Sequence, residues 1–181
     1  METSLRKSFN RSPFFYVGDK FKLLPQLKEN FPKTIDRFIE PFCGGGSVFL
    51  NTQANEYLLN DIDSNMVALH RLLISYSNNE ELFWRNIQTL IEQYALSATY
   101  FGKNIPQELR KEFPKTYFAK YNKDAYTQLR TDYNANKSNT LLLYLLLIYG
   151  FNHMIRFNAK GDFNLPVGNC LLYTSDAADD L

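Results

Sequence analysis

The sequence is poor in cysteine and has no apolar run long enough to cross a membrane. Cys43 and Cys170 are its two cysteines, too few for a disulfide framework and not spaced like metal ligands. The most apolar run, residues 140–149, has about half of the roughly twenty residues that a bilayer requires. The first ten residues contain no apolar segment typical of a secretory signal. These absences predict a cytoplasmic protein with no metal and no membrane partner, and a buried helix at 140–149.

The sequence also lacks a strong excess of charge. Its 181 residues carry a formal net charge of +1 and are 45% hydrophobic, which suits one core with a small inserted part. Residues 170–181 contain three aspartates and no basic residue, so the remainder carries +4. Eight lysines and arginines fall within residues 103–137. A mildly basic balance is compatible with nucleic acid, although such a run is often only a solvated surface.

Three glycines form the most distinctive stretch. A predicted strand at 38–42 leads into Gly44-Gly45-Gly46 and a predicted helix at 46–54, and a second strand at 57–60 ends at Asp61. A glycine turn between a strand and a helix exposes backbone N–H groups to a ligand. A carboxylate at the end of the next strand suits ribose hydroxyls in a Rossmann-like βαβ unit. The alternative is an ordinary glycine-rich turn.

Two residues that are absent near these glycines limit the kinds of ligand that the turn could bind. No lysine follows them, so the stretch is not a phosphate-binding P-loop, and hydrolysis of ATP or GTP is excluded. Phe49 stands where a dinucleotide-binding turn has glycine or alanine. The pattern therefore favours an adenosine without phosphates over a dinucleotide.

Helical spacing predicts most of the remaining chain. Helices are expected at 64–76, 80–94, 124–136 and 138–149, with an irregular, punctuated segment at 96–120. In the first of these, apolar residues recur at three- and four-residue intervals, and the expected apolar face consists of Met66, Leu69, Leu72, Leu73 and Tyr76. His70 is placed on the polar side and receives no role.

Residues 151–168 change from helical to alternating periodicity. Lys160-Gly161-Asp162 reads as the turn of a β-hairpin. Alternation places one set of side chains on a common face: Asn152, Met154, Arg156 and Asn158. An apolar wedge beside amide and guanidinium donors is suited to base edges of DNA, and a solvated hairpin face is the alternative.

Taken together, the motifs resemble those of Dam-type adenine-specific DNA methyltransferases, and the bacteriophage members are especially similar around Met154-Ile155-Arg156. The resemblance spans residues 14 to about 169. It is carried, in chain order, by Tyr16-Val17-Gly18-Asp19-Lys20, Glu40-Pro41-Phe42-Cys43-Gly44-Gly45-Gly46-Ser47, Asn60-Asp61-Ile62 and 149–168. It implies an α/β protein: a partial Rossmann-like, S-adenosylmethionine-dependent methyltransferase fold with an inserted helical target-recognition region and a β-hairpin.

The resemblance also implies roles for particular residues. S-adenosylmethionine is the implied cofactor, with Tyr16 and Lys20 enclosing it, the Phe42–Gly46 turn beneath its methionine part and Asp61 on the ribose. The cofactor-binding residues are therefore Tyr16, Lys20, Phe42, Cys43, Gly44, Gly46 and Asp61. Double-stranded DNA is the implied partner. The implied DNA-binding residues are Phe151, Asn152, Met154, Arg156, Asn158 and Lys160, of which Met154 would wedge into the base stack, Arg156 would contact a guanine edge and Lys160 would contact phosphates. Residues 12–64 would belong to the catalytic domain and residues 65–168 to the recognition insert.

One family motif is missing. The Asp-Pro-Pro-Tyr motif that would hold the adenine amine does not occur in the 181 residues, and residues 170–181 look unlike the family. We therefore expect an N-terminal part of a methyltransferase for GATC-like sites that is inactive by itself, with a foreign or disordered tail. The alternatives are a non-catalytic, sequence-specific DNA-binding protein and a dinucleotide-dependent oxidoreductase.

Overall fold

A computed structural model describes residues 9–169 of the chain. The chain divides into two compact units, Met1–His70 and Arg71–Leu181. The predicted boundaries at 12–64 and 65–168 remain predictions, and the expected tail at 170–181 lies outside the described residues.

The first unit is built around two short parallel strands. A 3-10 helix at Phe21–Leu23 continues into α1 (Leu24–Glu29), followed by β1 (Arg37–Glu40) and β2 (Glu56–Leu59). The strands pair in register from Arg37 opposite Glu56 to Glu40 opposite Leu59. The carboxyl ends of the strands thus meet at one edge, where open α/β sheets bind ligands. The two strands agree with the predicted segments to within one or two residues.

The predicted helix at 46–54 is wrong. The chain makes turns after the glycines and then a 3-10 helix at Phe49–Asn51, before Thr52 becomes extended. Side chains compete for the carbonyl groups that a longer helix would use: Asn51 Nδ2 donates to Ser47 O at 2.7 Å, and Thr52 Oγ1 donates to Val48 O at 2.8 Å. Such local side-chain bonds disfavour helix continuation.

The second unit is mainly helical. After α2 (Ser64–Ser75), which begins in the first unit, the helices are α3 (Glu80–Gln93), α4 (Gln107–Glu112), α5 (Tyr117–Ala135) and α6 (Thr140–Tyr149). Asn79 caps α3 and Asn139 caps α6, each accepting a bond from a backbone N–H group of the first turn. α6 is buried along most of its ten residues and packs against α5 and α3. The predicted helices are confirmed, although α5 begins seven residues earlier than expected.

The segment after α6 is only partly a hairpin. Antiparallel bridges join Gly150 to Val167 and Phe157 to Phe163. Residues Phe151–His153 form a 3-10 turn in which Asn152 and His153 both have φ of +52°. The alternation of faces predicted from Asn152 onward therefore fails at this turn. The tip rests on α5, because Asn134 exchanges two hydrogen bonds with the backbone of Phe163.

The architecture is a mixture of helices with a small parallel sheet, as expected for an α/β methyltransferase domain. Within residues 9–169, no helix combines the length and apolar character needed to cross a bilayer.

A buried hydroxyl tests the packing of the second unit. Tyr149 Oη donates to Ser97 O at 2.6 Å, and burial raises the pKa of Tyr149. We expect Tyr149→Phe to lower the free energy of unfolding by about 1–3 kcal/mol, because the buried Ser97 carbonyl loses its partner. Tyr121→Phe, at a partly exposed position, is the matched control. Urea unfolding of both variants measures the difference, and equal losses would contradict the packing described.

Candidate functional site

The glycine turn is held by its neighbours at the carboxyl ends of β1 and β2. Strand-like pairing continues beyond the strands, since Asn60 N donates to Glu40 O and Cys43 N donates to Asn60 O, both at 2.9 Å. Gly44 N then donates to Asp61 Oδ2 at 2.7 Å. Gly44 and Gly46 have φ of +47° and +92°, conformations that favour glycine. The turn is therefore fixed by both backbone pairing and the Asp61 carboxylate.

A pocket opens beside this turn. Its lining combines the turn with the segment before α1: Tyr16, Gly18, Asp19, Lys20, Glu40, Cys43, Gly44, Gly45, Ser47 and Val48. The structure thus brings together four of the predicted cofactor-binding residues, namely Tyr16, Lys20, Cys43 and Gly44.

Glu40 is a site residue that the sequence interpretation did not single out. Its side chain is 8% exposed, and its Oε2 atom accepts no hydrogen bond from the described residues. Burial raises the pKa of Glu40, while the Lys20 charge and a bond from the Phe49 backbone oppose the shift. A buried carboxylate oxygen without a donor is uncommon in native proteins. Glu40 is one of the residues that line the pocket.

Tyr16 covers the turn from the other side. A Cβ atom added to Gly44 would lie 2.8 Å from Cδ1 of Tyr16, so the absence of a side chain at Gly44 allows this close approach. Burial, followed by the charges of Asp61 and Asp63, raises the pKa of Tyr16. Burial also raises the pKa of Cys43, which disfavours the nucleophilic thiolate form.

The other predicted cofactor-binding residues surround the pocket without lining it. Phe42 is 73% exposed next to the turn. Gly46 packs against the Phe49 and His70 rings, which a Cβ atom added at this position would meet. Asp61 accepts bonds from Gly44 N and Asp63 N, yet a carboxylate has about four acceptor positions and so retains capacity for hydroxyl groups.

The placement of His70 on the polar side of α2 is wrong. His70 is buried, and its Nε2 atom lies 2.8 Å from Gly44 O. Its spacing from Met66 and Leu73, four and three residues away, puts it within the apolar stripe. That spacing is the signal in the sequence that indicates burial of His70.

The predicted DNA-reading residues lie together on the segment after α6. Arg156 donates to Asn164 twice, from Nε to Oδ1 at 2.9 Å and from an Nη atom to the backbone oxygen at 2.7 Å. Asn158 Oδ1 accepts from Lys160 N and Asp162 N, so it shapes the tip. The remaining predicted residues are exposed or half-buried: Phe151, Asn152, Met154 and Lys160. Asn164 was not predicted as a partner of Arg156.

Residues 9–169 contain no group of three or more histidine, cysteine, aspartate or glutamate side chains arranged to hold an ion.

This chain is similar to known proteins that are named methylases or methyltransferases. It is 30% identical over 168 residues to Modification methylase StsI of Streptococcus sanguinis, covering 93% of this chain and 22% of that protein. It is 33% identical over 161 residues to Type II methyltransferase M.FokI of Planomicrobium okeanokoites, covering 89% and 21%. It is 30% identical over 163 residues to DNA adenine methylase of Escherichia coli strain K12, covering 88% and 48%. The chain therefore spans about half of the last protein and about a fifth of the other two.

The family model for D12 class N6 adenine-specific DNA methyltransferases matches residues 16–181, which include both the glycine turn and the Arg156 segment. This chain therefore belongs to the D12 class of N6 adenine-specific DNA methyltransferases.

Proposed function

We propose that this chain contributes the S-adenosylmethionine pocket and the DNA-reading segment of an enzyme that methylates N6 of adenine in GATC-like sites. The observation that carries the proposal is the pocket at the carboxyl ends of β1 and β2, where Glu40, Lys20 and the Gly44 turn converge. Family membership provides the reaction, and this pocket provides a place for the methyl donor.

The charges around the pocket suit the amino-acid end of S-adenosylmethionine. That end carries an ammonium group and a carboxylate. Glu40 offers a buried oxygen without a donor, and Lys20 offers an ammonium group close enough to oppose the pKa shift of Glu40. A cation and an anion on one wall complement a zwitterion.

The adenosine end finds a partner in Asp61. Its carboxylate is held in place by Gly44 N and Asp63 N, and its spare acceptor positions suit ribose hydroxyls. Asp61 bonds to Gly44 N but does not itself line the pocket. We therefore expect this pocket to hold the amino-acid end, with the adenosine extending past Asp61.

When bound, S-adenosylmethionine supplies an activated methyl group. The role of this chain's residues is to bind and orient it, which converts methyl transfer into a reaction between two held partners. The target adenine must leave the base stack, as in other enzymes that modify bases. The amine-holding Asp-Pro-Pro-Tyr motif is not among the 181 residues.

The segment after α6 supplies the features needed to read DNA. Asn164 binds two of the five guanidinium N–H groups of Arg156 and presents the fork in one orientation, as a bidentate contact to guanine requires. Met154 is a wedge for the base stack. Lys160 at the tip would contact phosphates, which set affinity more than sequence preference.

Calorimetry with S-adenosylmethionine tests the pocket. We expect the parent chain to bind it and Glu40→Gln to weaken binding tenfold or more, since a hydrogen bond between charged groups is worth roughly 1.5–3 kcal/mol. Glu56→Gln is the control, because Glu56 lies on β2 in an exposed ion pair with Arg37. Binding of NAD in preference to S-adenosylmethionine would instead support an oxidoreductase.

Binding to two DNA duplexes, one with a GATC site and one scrambled, tests the reading segment. Arg156→Ala should reduce the preference for the GATC duplex by roughly 1–3 kcal/mol, because a base contact is lost. Lys160→Ala should weaken binding to both duplexes equally and reduce the salt slope by about one. If Arg156→Ala keeps the parent's preference, this arginine does not read bases.

A methyl-transfer assay separates binding from catalysis. With tritium-labelled S-adenosylmethionine and unmethylated GATC duplex, we expect no label on DNA from the 181-residue chain, because the motif that holds the adenine amine is missing. Binding without transfer would also fit a non-catalytic DNA-binding protein. Label on N6 of adenine would show that other residues of this chain can hold the amine.

A further inference from the structure

His70 makes a contact with the glycine turn that the proposed function does not yet use. This side chain lies near the middle of α2, is 8% exposed, and places Nε2 2.8 Å from Gly44 O. A carbonyl oxygen can only accept, so Nε2 must carry the proton. The bond therefore requires either the Nε2–H neutral tautomer or the imidazolium.

Aromatic rings hold the imidazole in this position. Phe14 and Phe49 contact it edge-on, with ring centroids at 5.1 and 5.3 Å. Gly46 makes room for the ring, since a Cβ atom added there would lie 2.9 Å from His70 Cε1. The glycine run thus accommodates His70 and Phe49 as well as a ligand. The imidazole is fixed before any ligand arrives.

The bond determines how one peptide group is oriented. The Gly44–Gly45 peptide is trans, so its C=O and N–H groups point in opposite directions. Because His70 holds the carbonyl, the Gly45 N–H group must point away from His70, and Gly44 and Gly45 both line the pocket. The preceding peptide is held independently, through Gly44 N and Asp61. Glycine at φ of +47° has other conformations available, and the bonds to His70 and Asp61 favour the observed one.

We propose that His70 is a positioning residue for the methyl donor: it orients the Gly44–Gly45 peptide so that the turn is preorganised for S-adenosylmethionine. The inference rests on the proposed function of this pocket. It adds that affinity depends on a side chain beneath the turn. Preorganisation of this kind improves affinity by removing the ordering that binding would otherwise require.

Calorimetry on the full 181-residue chain with S-adenosylmethionine tests the inference. His70→Leu removes the donor but keeps an apolar side chain between the two phenylalanines, and we expect affinity to fall about five- to tenfold. His70→Gln retains an N–H donor and should restore affinity to within about twofold of the parent. Met66→Leu, a conservative change in the buried face of the same helix, controls for altered packing and should bind like the parent.

The outcomes distinguish this inference from the function on which it rests. If the parent chain does not bind S-adenosylmethionine, both are wrong. If the parent binds and His70→Leu binds equally well, the pocket stands and the role of His70 is wrong.

If circular dichroism shows that His70→Leu does not fold, nitrogen NMR of the parent chain labelled with ¹⁵N-histidine tests the role of His70 instead. The spectrum shows which ring nitrogen carries the proton. A protonated Nε2 on His70, together with parent-like binding by His70→Gln, supports the inference. A neutral ring protonated on Nδ1 overturns it, because Nε2 would then have no proton to donate.

Discussion

The parallel pairing of β1 with β2 is the constraint on which the candidate site depends. The ladder does not stop at the last strand residues, because Asn60 N bonds to Glu40 O and Cys43 N bonds to Asn60 O. These two bonds bring the start of the glycine turn beside the end of β2. Asp61 follows Asn60 directly and is thereby placed to accept the Gly44 N–H. Backbone hydrogen bonds thus bring Gly44 and Asp61 together in space, although they are far apart in sequence. Such bonds are insensitive to most changes of side chain.

The arrangement of β1, the glycine turn, β2 and Asp61 could be predicted from the sequence, because it follows from the backbone geometry of parallel strands. A hydrophobic strand, a glycine turn and an acidic residue at the end of the next strand imply the edge where ligands bind in parallel sheets. Likewise, α6 is apolar all round and has to be buried, and α3 carries a clear stripe with Asn79 as its cap. In each of these cases local pattern and tertiary environment favour the same structure, and the predicted strands and helices were confirmed.

The predictions failed where a side chain forms a hydrogen bond with a residue far away in sequence, or where it competes with backbone N–H groups for a carbonyl oxygen. His70 bonds to a carbonyl 26 residues earlier, a pairing that helical spacing cannot specify. Asn51 and Thr52 divert carbonyl groups that the predicted helix at 46–54 would have needed. Asn164 accepts a hydrogen bond from Arg156 across the tip of the segment. The orientation of Arg156 therefore depends on a partner that the alternating pattern of residues 151–168 did not indicate.

Two buried polar atoms at the pocket lower the stability of the fold. Glu40 Oε2 and Ser47 Oγ are buried without a hydrogen-bond partner among the described residues, and both residues line the pocket. An unpaired buried polar group costs about 1–3 kcal/mol, and the raised pKa of Glu40 shows that its environment disfavours the charge. A structural carboxylate would be expected to have its donors supplied by the fold, as Asp61 does. Glu40 receives a bond from the Phe49 backbone, but its Oε2 atom receives none from the described residues. The cost to folding at Glu40 thus falls on a residue that lines the pocket, and such local violations of the folding rules are expected at functional sites.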